Sequence, residues 1–323
     1  MTLSIIGGGS WGTALAIVLA PRFDLVRLWV WERDLAERMQ VSRENDIYLP
    51  GFLLPPNVEV TTEIQGAEFV LGAMPSHHAR RIYQSAKFDP SMTFVSATKG
   101  IEQGTLMRIS QVIADSLPFP ANIAVLSGPT FAREVARGDP AAVVIASREM
   151  NVSQRVQAAF SGPSLRLYTN SDVIGVEIGA ALKNVIAIGA GVCQGLGLGN
   201  NTLAALITRG LAEITRLAVA MGGQPKTLAG LAGLGDLVLT CSGDLSRNRK
   251  VGMELAKGKT LAEIVGSTRM VAEGVETCQA AVELGAKYNV DLPIIEQMYS
   301  VLYTSKSPRE ALRDLMDRTL KGE

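Results

Sequence analysis

Residues 173–199, VIGVEIGAALKNVIAIGAGVCQGLGLG, constrain this chain more than any other stretch. The first two-thirds predict a long helix that is apolar on nearly every side. Such a helix belongs in the interior of a protein. Only Glu177, Lys183 and Asn184 interrupt it. Glu177 and Asn184 share a face, and Lys183 sits about 120° round from it at the helical rotation per residue. A lysine in that setting is costly unless paired, and burial favours its neutral form. A snorkelling side chain or a structural ion pair is the simpler reading; what flanks the helix argues for more. The run is long enough to span a bilayer. Its embedded charges and many small residues point instead to a buried helix of a soluble protein, so no integral membrane segment is expected.

The 323 residues are 47% hydrophobic, with 31 basic and 31 acidic side chains and no net charge. That length supports a sizeable core and two domains. A balanced charge offers no electrostatic footprint for nucleic acid. Cys193, Cys241 and Cys278 are odd in number and far apart. They form neither a disulfide framework nor a metal-site spacing, so a reducing, cytoplasmic compartment and no metal are expected. The opening MTLSIIGGG has no basic leader region.

Residues 3–7 read as an apolar strand, and Gly7-Gly8-Gly9-Ser10-Trp11-Gly12 follows at once, then a good helix. Strand, G-x-G-x-x-G and helix in that order are the setting in which the motif binds a dinucleotide. Gly7, Gly9 and Gly12 permit the tight turn and the approach of a pyrophosphate to backbone N–H groups at the helix start. A second strand, 27–31, ends in Glu32-Arg33-Asp34. An acid there would hold the ribose hydroxyls of NAD, and an arginine the 2′-phosphate of NADP. Both are present, so NADP or NAD remains open.

The alternation continues. Strands are expected at 58–61, 69–73, 93–97, 123–127, 141–146 and 165–169, with a helix at 34–41 and others near 76–86, 105–116, 130–137 and 151–160. This predicts an α/β fold: a Rossmann-like doubly wound sheet, parallel for at least its first five strands. Ligands bind at the strand ends of such sheets. Three ends carry polar groups: Pro75-Ser76-His77-His78, whose histidines read as helix-start surface residues, Thr98-Lys99-Gly100, and Ser127-Gly128-Pro129-Thr130, which opens a helix.

Strand signals stop near residue 172. The boundary falls within 170–190, giving a dinucleotide-binding domain at 1–180 and an all-helical substrate-binding domain at 181–323. A second long helix is expected at 202–221, ended by Gly222-Gly223. Asp236 then lies in a Gly-rich apolar run, where it needs an internal partner. Ser246-Arg247-Asn248-Arg249-Lys250 groups donors suited to phosphate. Further helices fill 261–323, one starting at Pro293 and an amphipathic one at 308–320. The residues expected to converge are Lys99, Thr130, Lys183, Asp236, Arg247 and Asn248, in a cleft shared by the two domains. Spacing alone leads to an NAD(P) oxidoreductase that uses lysine on a small anion, Lys183 being the buried base and Lys99 a second cation.

The motifs GGGSWGTALA, TKGIE, SGPTFAREVA, ALKNVIAIGAGV, LAGLGDLVLTC with SRNRK, and VAEGVET resemble those of NAD(P)-dependent glycerol-3-phosphate dehydrogenases of bacterial type. They stand in the family's order over roughly residues 4–277; SGPTFA, LKNVIAI and GLGDL with SRN are specific to the family, and the opening glycine motif is not. The resemblance implies reversible reduction of dihydroxyacetone phosphate to sn-glycerol 3-phosphate, supplying phospholipid synthesis in the cytoplasm. Lys183 matches the proton donor and acceptor, and Lys99 a lysine touching both substrate and cofactor. Gly128, Thr130, Asp236, Ser246, Arg247 and Asn248 match substrate contacts. Ser10, Trp11, Arg33, Ala132, Val271 and Glu273 match cofactor positions, with Arg247 also near the cofactor. Catalytic roles are thereby expected for Lys183, Lys99 and Asp236. Glu32 departs from what an NADP-preferring member would carry, and Asn200 stands where many members have Asp. A homodimer is expected. The competing readings are a β-hydroxyacid or ketopantoate-type reductase, whose carboxylate substrates leave the SRNRK group unexplained, and a non-catalytic NADP(H)-sensing protein, which has no use for Lys99, Lys183 and Asp236 together.

Overall fold

A computed structural model of the chain describes residues 1–266, 272–320 and 322. The chain divides into two compact units. One comprises Met1–Lys99 and Met107–Glu177, the other Gly100–Leu106 and Ile178–Glu323.

In the first unit strands and helices alternate: β1 (Thr2–Ile6), α1 (Ser10–Leu19), β2 (Leu25–Trp29), α2 (Arg33–Ser42), the hairpin β3 (Glu44–Asn45) and β4 (Leu49–Leu53), β5 (Val58–Thr61), β6 (Phe69–Gly72), α3 (Ala79–Ser85), β7 (Thr93–Ser96), α4 (Ile109–Ser116), β8 (Asn122–Ser127), α5 (Ala132–Arg137), β9 (Ala141–Ala146), α6 (Met150–Phe160) and β10 (Leu165–Asn170). Eight strands form one sheet in the order β5-β2-β1-β6-β7-β8-β9-β10. The first six of that order are parallel, β9 runs antiparallel to β8, and β10 is parallel to β9. The chain winds outward from β1 to β5, then resumes on the other side of β1 at β6. That reversal is the switch point at which doubly wound sheets take ligands.

Successive side chains of a strand point to opposite faces, so both faces here need apolar residues. Ile5, Leu28, Leu71 and Val95 pack with α1, α2 and α6, whereas Ile6, Val70 and Phe94 pack with α3 and α4. In this unit the main differences from the sequence expectation are two boundaries and one hairpin. The second strand ends at Trp29, two residues early, which leaves Glu32 as the N-cap of α2. The helix expected from 105 starts only at Ile109, because Gly104 and Leu106 hold left-handed φ values of 78° and 58°. The β3–β4 hairpin carries no clear alternation and was not foreseen.

The second unit is helical: α7 (Val173–Gly195, its first turn in the first unit), α8 (Asn200–Ala220), α9 (Pro225–Leu228), a π-type turn at Leu231–Gly235, α10 (Asp236–Ser242), α11 (Arg247–Ala256), α12 (Leu261–Gly266), α13 (Glu273–Tyr288), α14 (Pro293–Tyr303) and α15 (Pro308–Met316). The final helix stops four residues short of the sequence expectation. α7 is long and apolar enough to cross a membrane, and 94% of that window is buried inside the protein. Its small residues let other helices touch its backbone. A Cβ at Gly191 would lie 1.9 Å from the Arg249 carbonyl oxygen, and one at Gly252 1.9 Å from that of Ile188. α11 therefore lies against α7 at backbone distance.

Glu213 of α8 is 2% exposed and caps α14, accepting from the Ile294 N–H at 2.8 Å and the Ile295 N–H at 3.3 Å. Burial pushes its carboxyl up to about 7, against the opposing pull of those two N–H groups. The folded-state value lies above the unfolded one, so the native state holds the extra proton between about pH 4.5 and 7, and stability falls as pH rises through that window. Urea unfolding at pH 5 and pH 8 should show wild type losing about 1–3 kcal/mol more than Glu213→Gln over that interval. Equal losses in the two proteins would remove Glu213 as the source.

Candidate active site

The glycine turn after β1 sits at the switch point. Gly7 has φ +127°, and a Cβ on it would fall 2.5 Å from the Ala73 carbonyl oxygen at the end of β6. A Cβ at Gly12 would fall 1.9 Å from the Gly7 carbonyl oxygen, so only glycine lets α1 start this close to the turn. A Cβ at Gly9 would meet nothing within 4 Å. Gly9 is also the N-cap of α1, which no side chain caps. The Thr13 N–H makes the first intrahelical bond, to the Gly9 carbonyl at 3.0 Å, so the N–H groups of Ser10, Trp11 and Gly12 precede that ladder at the positive end of a ten-residue helix. That is the geometry a pyrophosphate needs, and these residues fit a dinucleotide.

Asn45, fully buried on β3, holds the turn from below. Its Nδ2 donates to the Gly8 carbonyl and to Thr13 Oγ1, both at 2.8 Å, and its Oδ1 accepts from the Tyr48 N–H at 3.0 Å. The Tyr48 hydroxyl donates to Glu32 Oε1 at 2.7 Å. Arg33, the first residue of α2, is exposed.

Lys99 and Gly128 follow the neighbouring strands β7 and β8. Thr98 Oγ1 donates to the Met74 carbonyl at 3.0 Å and anchors the chain just before Lys99. Lys99 Nζ lies 3.5 Å from the Gly128 carbonyl, at the outer limit of a hydrogen bond. Thr130 Oγ1 donates to the same carbonyl at 3.1 Å. Gly128 has φ +147°, and a Cβ there would be 2.9 Å from Val143 Cα. Ala132 opens α5. Lys99, Gly128 and Thr130 are thus brought together within the first unit. His77 and His78 lie in a short turn with their Nε2 atoms 3.1 Å apart, at an exposed position.

The second unit buries a charge pair. Lys183 is 4% exposed and Asp236 fully buried. Lys183 Nζ donates to Asp236 Oδ1 and, at 2.9 Å, to Thr240 Oγ1. Thr240 is one helical turn beyond Asp236 on α10, and its hydroxyl also donates to the Asp236 carbonyl at 2.6 Å. Asp236 therefore has the internal partner its apolar setting demanded. Burial pushes the adjacent Cys241 thiol up to about 12, so it is an inert wall. Glu177 lies in the first unit with a different partner, Arg108, and also accepts from the Ser110 N–H and hydroxyl at 2.7 Å each.

Beside the pair runs a second buried network. Asn248 Nδ2 donates to Asn184 Oδ1 at 3.0 Å, and Asn248 Oδ1 accepts from the Gly274 N–H at 3.0 Å. Ser246 caps α11, its Oγ accepting from the Arg249 N–H at 3.2 Å. Ser246 and Asn248 are buried and work as scaffold, each with one donor hydrogen to spare. Arg247 is exposed at the first position of α11. Glu273 opens α13 next to Gly274, and Val271 lies outside the described residues. Sequence reasoning missed Thr240, Asn184, Asn45 and Tyr48 as site residues. Thr240 had a legible signal, being four residues from Asp236 on one helix. Asn45 and Tyr48 had none, because their partners are 32 or more and 16 residues away.

A glycine turn at the switch point of a parallel sheet, joined in one chain to helices that bury a lysine, defines a dinucleotide-dependent oxidoreductase with an added helical unit. The chain belongs to the NAD-dependent glycerol-3-phosphate dehydrogenase family: the family's N-terminal model matches residues 2–153 and its C-terminal model residues 172–313. A glycerol-3-phosphate dehydrogenase [NAD(P)+] of Koribacter versatilis is 52% identical over 326 residues, covering 98% of this chain and 97% of that protein. The crystal structure of glycerol-3-phosphate dehydrogenase from Coxiella burnetii matches with a TM-score of 0.94 at 37% identity, over 98% of this chain and 99% of the other. A ketopantoate reductase of the PanE/ApbA family from Ralstonia eutropha shares the fold alone, at 15% identity and a TM-score of 0.62 over 98% of this chain and all of the other.

Asp236→Ala should cost about 3–5 kcal/mol in denaturant unfolding, because it strands the Lys183 ammonium in an apolar interior. The double variant Lys183→Met, Asp236→Leu should regain most of that loss. An Asp236→Ala protein as stable as wild type would mean that the pair is not buried in solution.

Proposed function

We propose that this protein reversibly reduces dihydroxyacetone phosphate to sn-glycerol 3-phosphate with NAD(P)H, the first unit binding the dinucleotide and the second supplying the acid and the phosphate contacts. The observation that carries the reading is the buried Lys183, held between Asp236 and Thr240 in a chain that belongs to this family. Family membership favours this substrate over the carboxylates of hydroxyacid reductases, and a binding-only sensor gains nothing from a buried charge pair.

The reduced nicotinamide, when bound, supplies a hydride to the ketone carbon. Lys183 Nζ holds the proton that the ketone oxygen gains as that carbon is reduced, and takes it back in the reverse direction. Asp236 and Thr240 fix Nζ in place, so little reorganisation is needed at the moment of transfer. Lys99, beside Gly128 and Thr130, is the second cation for the developing alkoxide and the anionic substrate. Arg247 supplies a planar fork for phosphate, with the Arg247 and Asn248 N–H groups at the start of α11 and the spare hydrogens of Ser246 and Asn248 around it. The backbone of Gly7, Gly9, Ser10, Trp11 and Gly12 binds the pyrophosphate, and Arg33, Ala132, Val271 and Glu273 complete the cofactor set. A cytoplasmic homodimer that supplies glycerol phosphate for phospholipid synthesis belongs to the same proposal. Light scattering of the purified protein tests the dimer.

Absorbance assays with dihydroxyacetone phosphate should show turnover by wild type, with Lys183→Ala slower by about 10²–10⁴-fold while still binding cofactor. Wild type that binds cofactor yet leaves this substrate untouched would sink the reading. Arg247→Ala should raise KM for dihydroxyacetone phosphate by about 10–100-fold with a smaller change in kcat, as expected for the loss of a charge-assisted contact made in both ground and transition states.

A further inference from the structure

The β3–β4 hairpin pairs with no strand of the main sheet, yet it carries a fully buried amide, that of Asn45. Asn45 reaches back to the glycine turn with both of its Nδ2 hydrogens, one to the Gly8 carbonyl and one to Thr13 Oγ1. Its Oδ1 accepts from the Tyr48 N–H, so its own hairpin pins the amide in this orientation. All three groups lie within the first unit. Both donors and the acceptor of one short side chain are in use, a set that neither aspartate nor leucine can supply. A buried amide matched at each of its polar atoms costs little to keep, and removing it would leave several backbone groups unpaired.

The peptide that Asn45 holds is one that turns over easily. The Gly8–Gly9 bond lies between two residues without a Cβ. Reversing it changes ψ of Gly8 and φ of Gly9 together, and glycine accepts both changes at small cost. Gly9 now has φ −74° and ψ −178°, and the reversed peptide would carry it to positive φ. A trans peptide is planar, with its C=O and N–H pointing opposite ways. The Gly8 carbonyl points at Asn45, so the Gly9 N–H points away from it. Among the described residues nothing accepts from that N–H. The next peptide is set in the same manner: the Gly9 carbonyl accepts from the Thr13 N–H, which turns the Ser10 N–H out from the start of α1. Two successive N–H groups are thereby fixed, the first by Asn45 and the second by the helix itself. Reversal of the first would present an oxygen to an anionic pyrophosphate where a charge-assisted hydrogen bond is needed.

We propose that Asn45 is a positioning residue for the reaction: by holding the Gly8 carbonyl it keeps the Gly9 N–H aimed at the pyrophosphate of the dinucleotide. This role presupposes the dinucleotide-dependent activity proposed above but not the identity of the substrate. ADP-ribose carries the pyrophosphate and no nicotinamide, so calorimetric titration of the full-length protein with it tests the role without turnover. Asn45→Leu, which keeps the volume and removes every polar contact, should bind ADP-ribose about 10–100-fold more weakly than wild type at any pH where it is folded. Asn45→Asp should lose as much at about pH 8, where its carboxylate sets only acceptors against the Gly8 carbonyl. At about pH 5.5 the buried carboxyl gains a proton and with it one donor, and its affinity relative to wild type should recover about tenfold. That recovery happens within one protein, so Asn45→Asp carries the test if Asn45→Leu fails to fold. In turnover by Asn45→Asp at about pH 8, KM for the dinucleotide should rise in step with the loss of ADP-ribose affinity, while KM for dihydroxyacetone phosphate at saturating dinucleotide moves less than about threefold. A general loosening of the fold would move both. Variants that bind ADP-ribose within about twofold of wild type overturn the proposal, and so does an Asn45→Asp protein that shows no recovery on acidification, since the hairpin would then act through packing alone. Wild type that fails to bind ADP-ribose would sink the dinucleotide reading and this role with it. Binding that depends on Asn45 without reduction of dihydroxyacetone phosphate would sink only the substrate reading.

Discussion

The second unit is built around the cost of burying one lysine. Lys183 projects from a helix with protein on every side, and an ammonium there is tolerable only beside a fixed counter-charge. Asp236 meets that need and Thr240 takes a further hydrogen of the same nitrogen. Apolar side chains of similar volume would hold these helices at least as well, so stability alone does not account for the pair. A costly, paired charge in an apolar core is where a local folding rule yields to chemistry.

Close packing carries the arrangement outward. Glycines at the crossing of α7 and α11 bring backbone against backbone, and that short distance lets Asn248 reach Asn184 on one side and the Gly274 N–H on the other. Ser246, at the head of α11, satisfies the Arg249 N–H and leaves the guanidinium of Arg247 outside. The first unit uses the same device at the glycine turn. Missing side chains allow β1, β6 and α1 to converge, and Asn45 fills the buried hydrogen-bonding demand that the tight turn creates.

Much of this was legible in the chain. Short apolar runs alternating with helical segments marked the eight strands of the main sheet, because a sheet covered on both faces needs apolar residues on both. The glycine spacing marked the turn, because only glycine fits there. The apolar environments of Lys183 and Asp236 marked both as in need of partners. Short elements fared worse. The two-residue strand at Glu44–Asn45 has no periodicity to read, and the delayed start of α4 depends on Leu106 accepting a left-handed conformation that its side chain disfavours.

By itself the sequence determined the alternation of strand and helix, the place of the dinucleotide turn, the interior position of α7 and the residues bearing unusual chemistry. Each follows from local periodicity or from a residue type whose physical demands are specific. Only the tertiary structure decided which demand answers which. It pairs Lys183 with Asp236 across 53 residues while giving Glu177 to Arg108 across 69, reverses β9 against β8, and assigns Tyr48 to Glu32. Hydrogen bonds and ion pairs act over a few ångströms in space, and separation along the chain does not encode that distance.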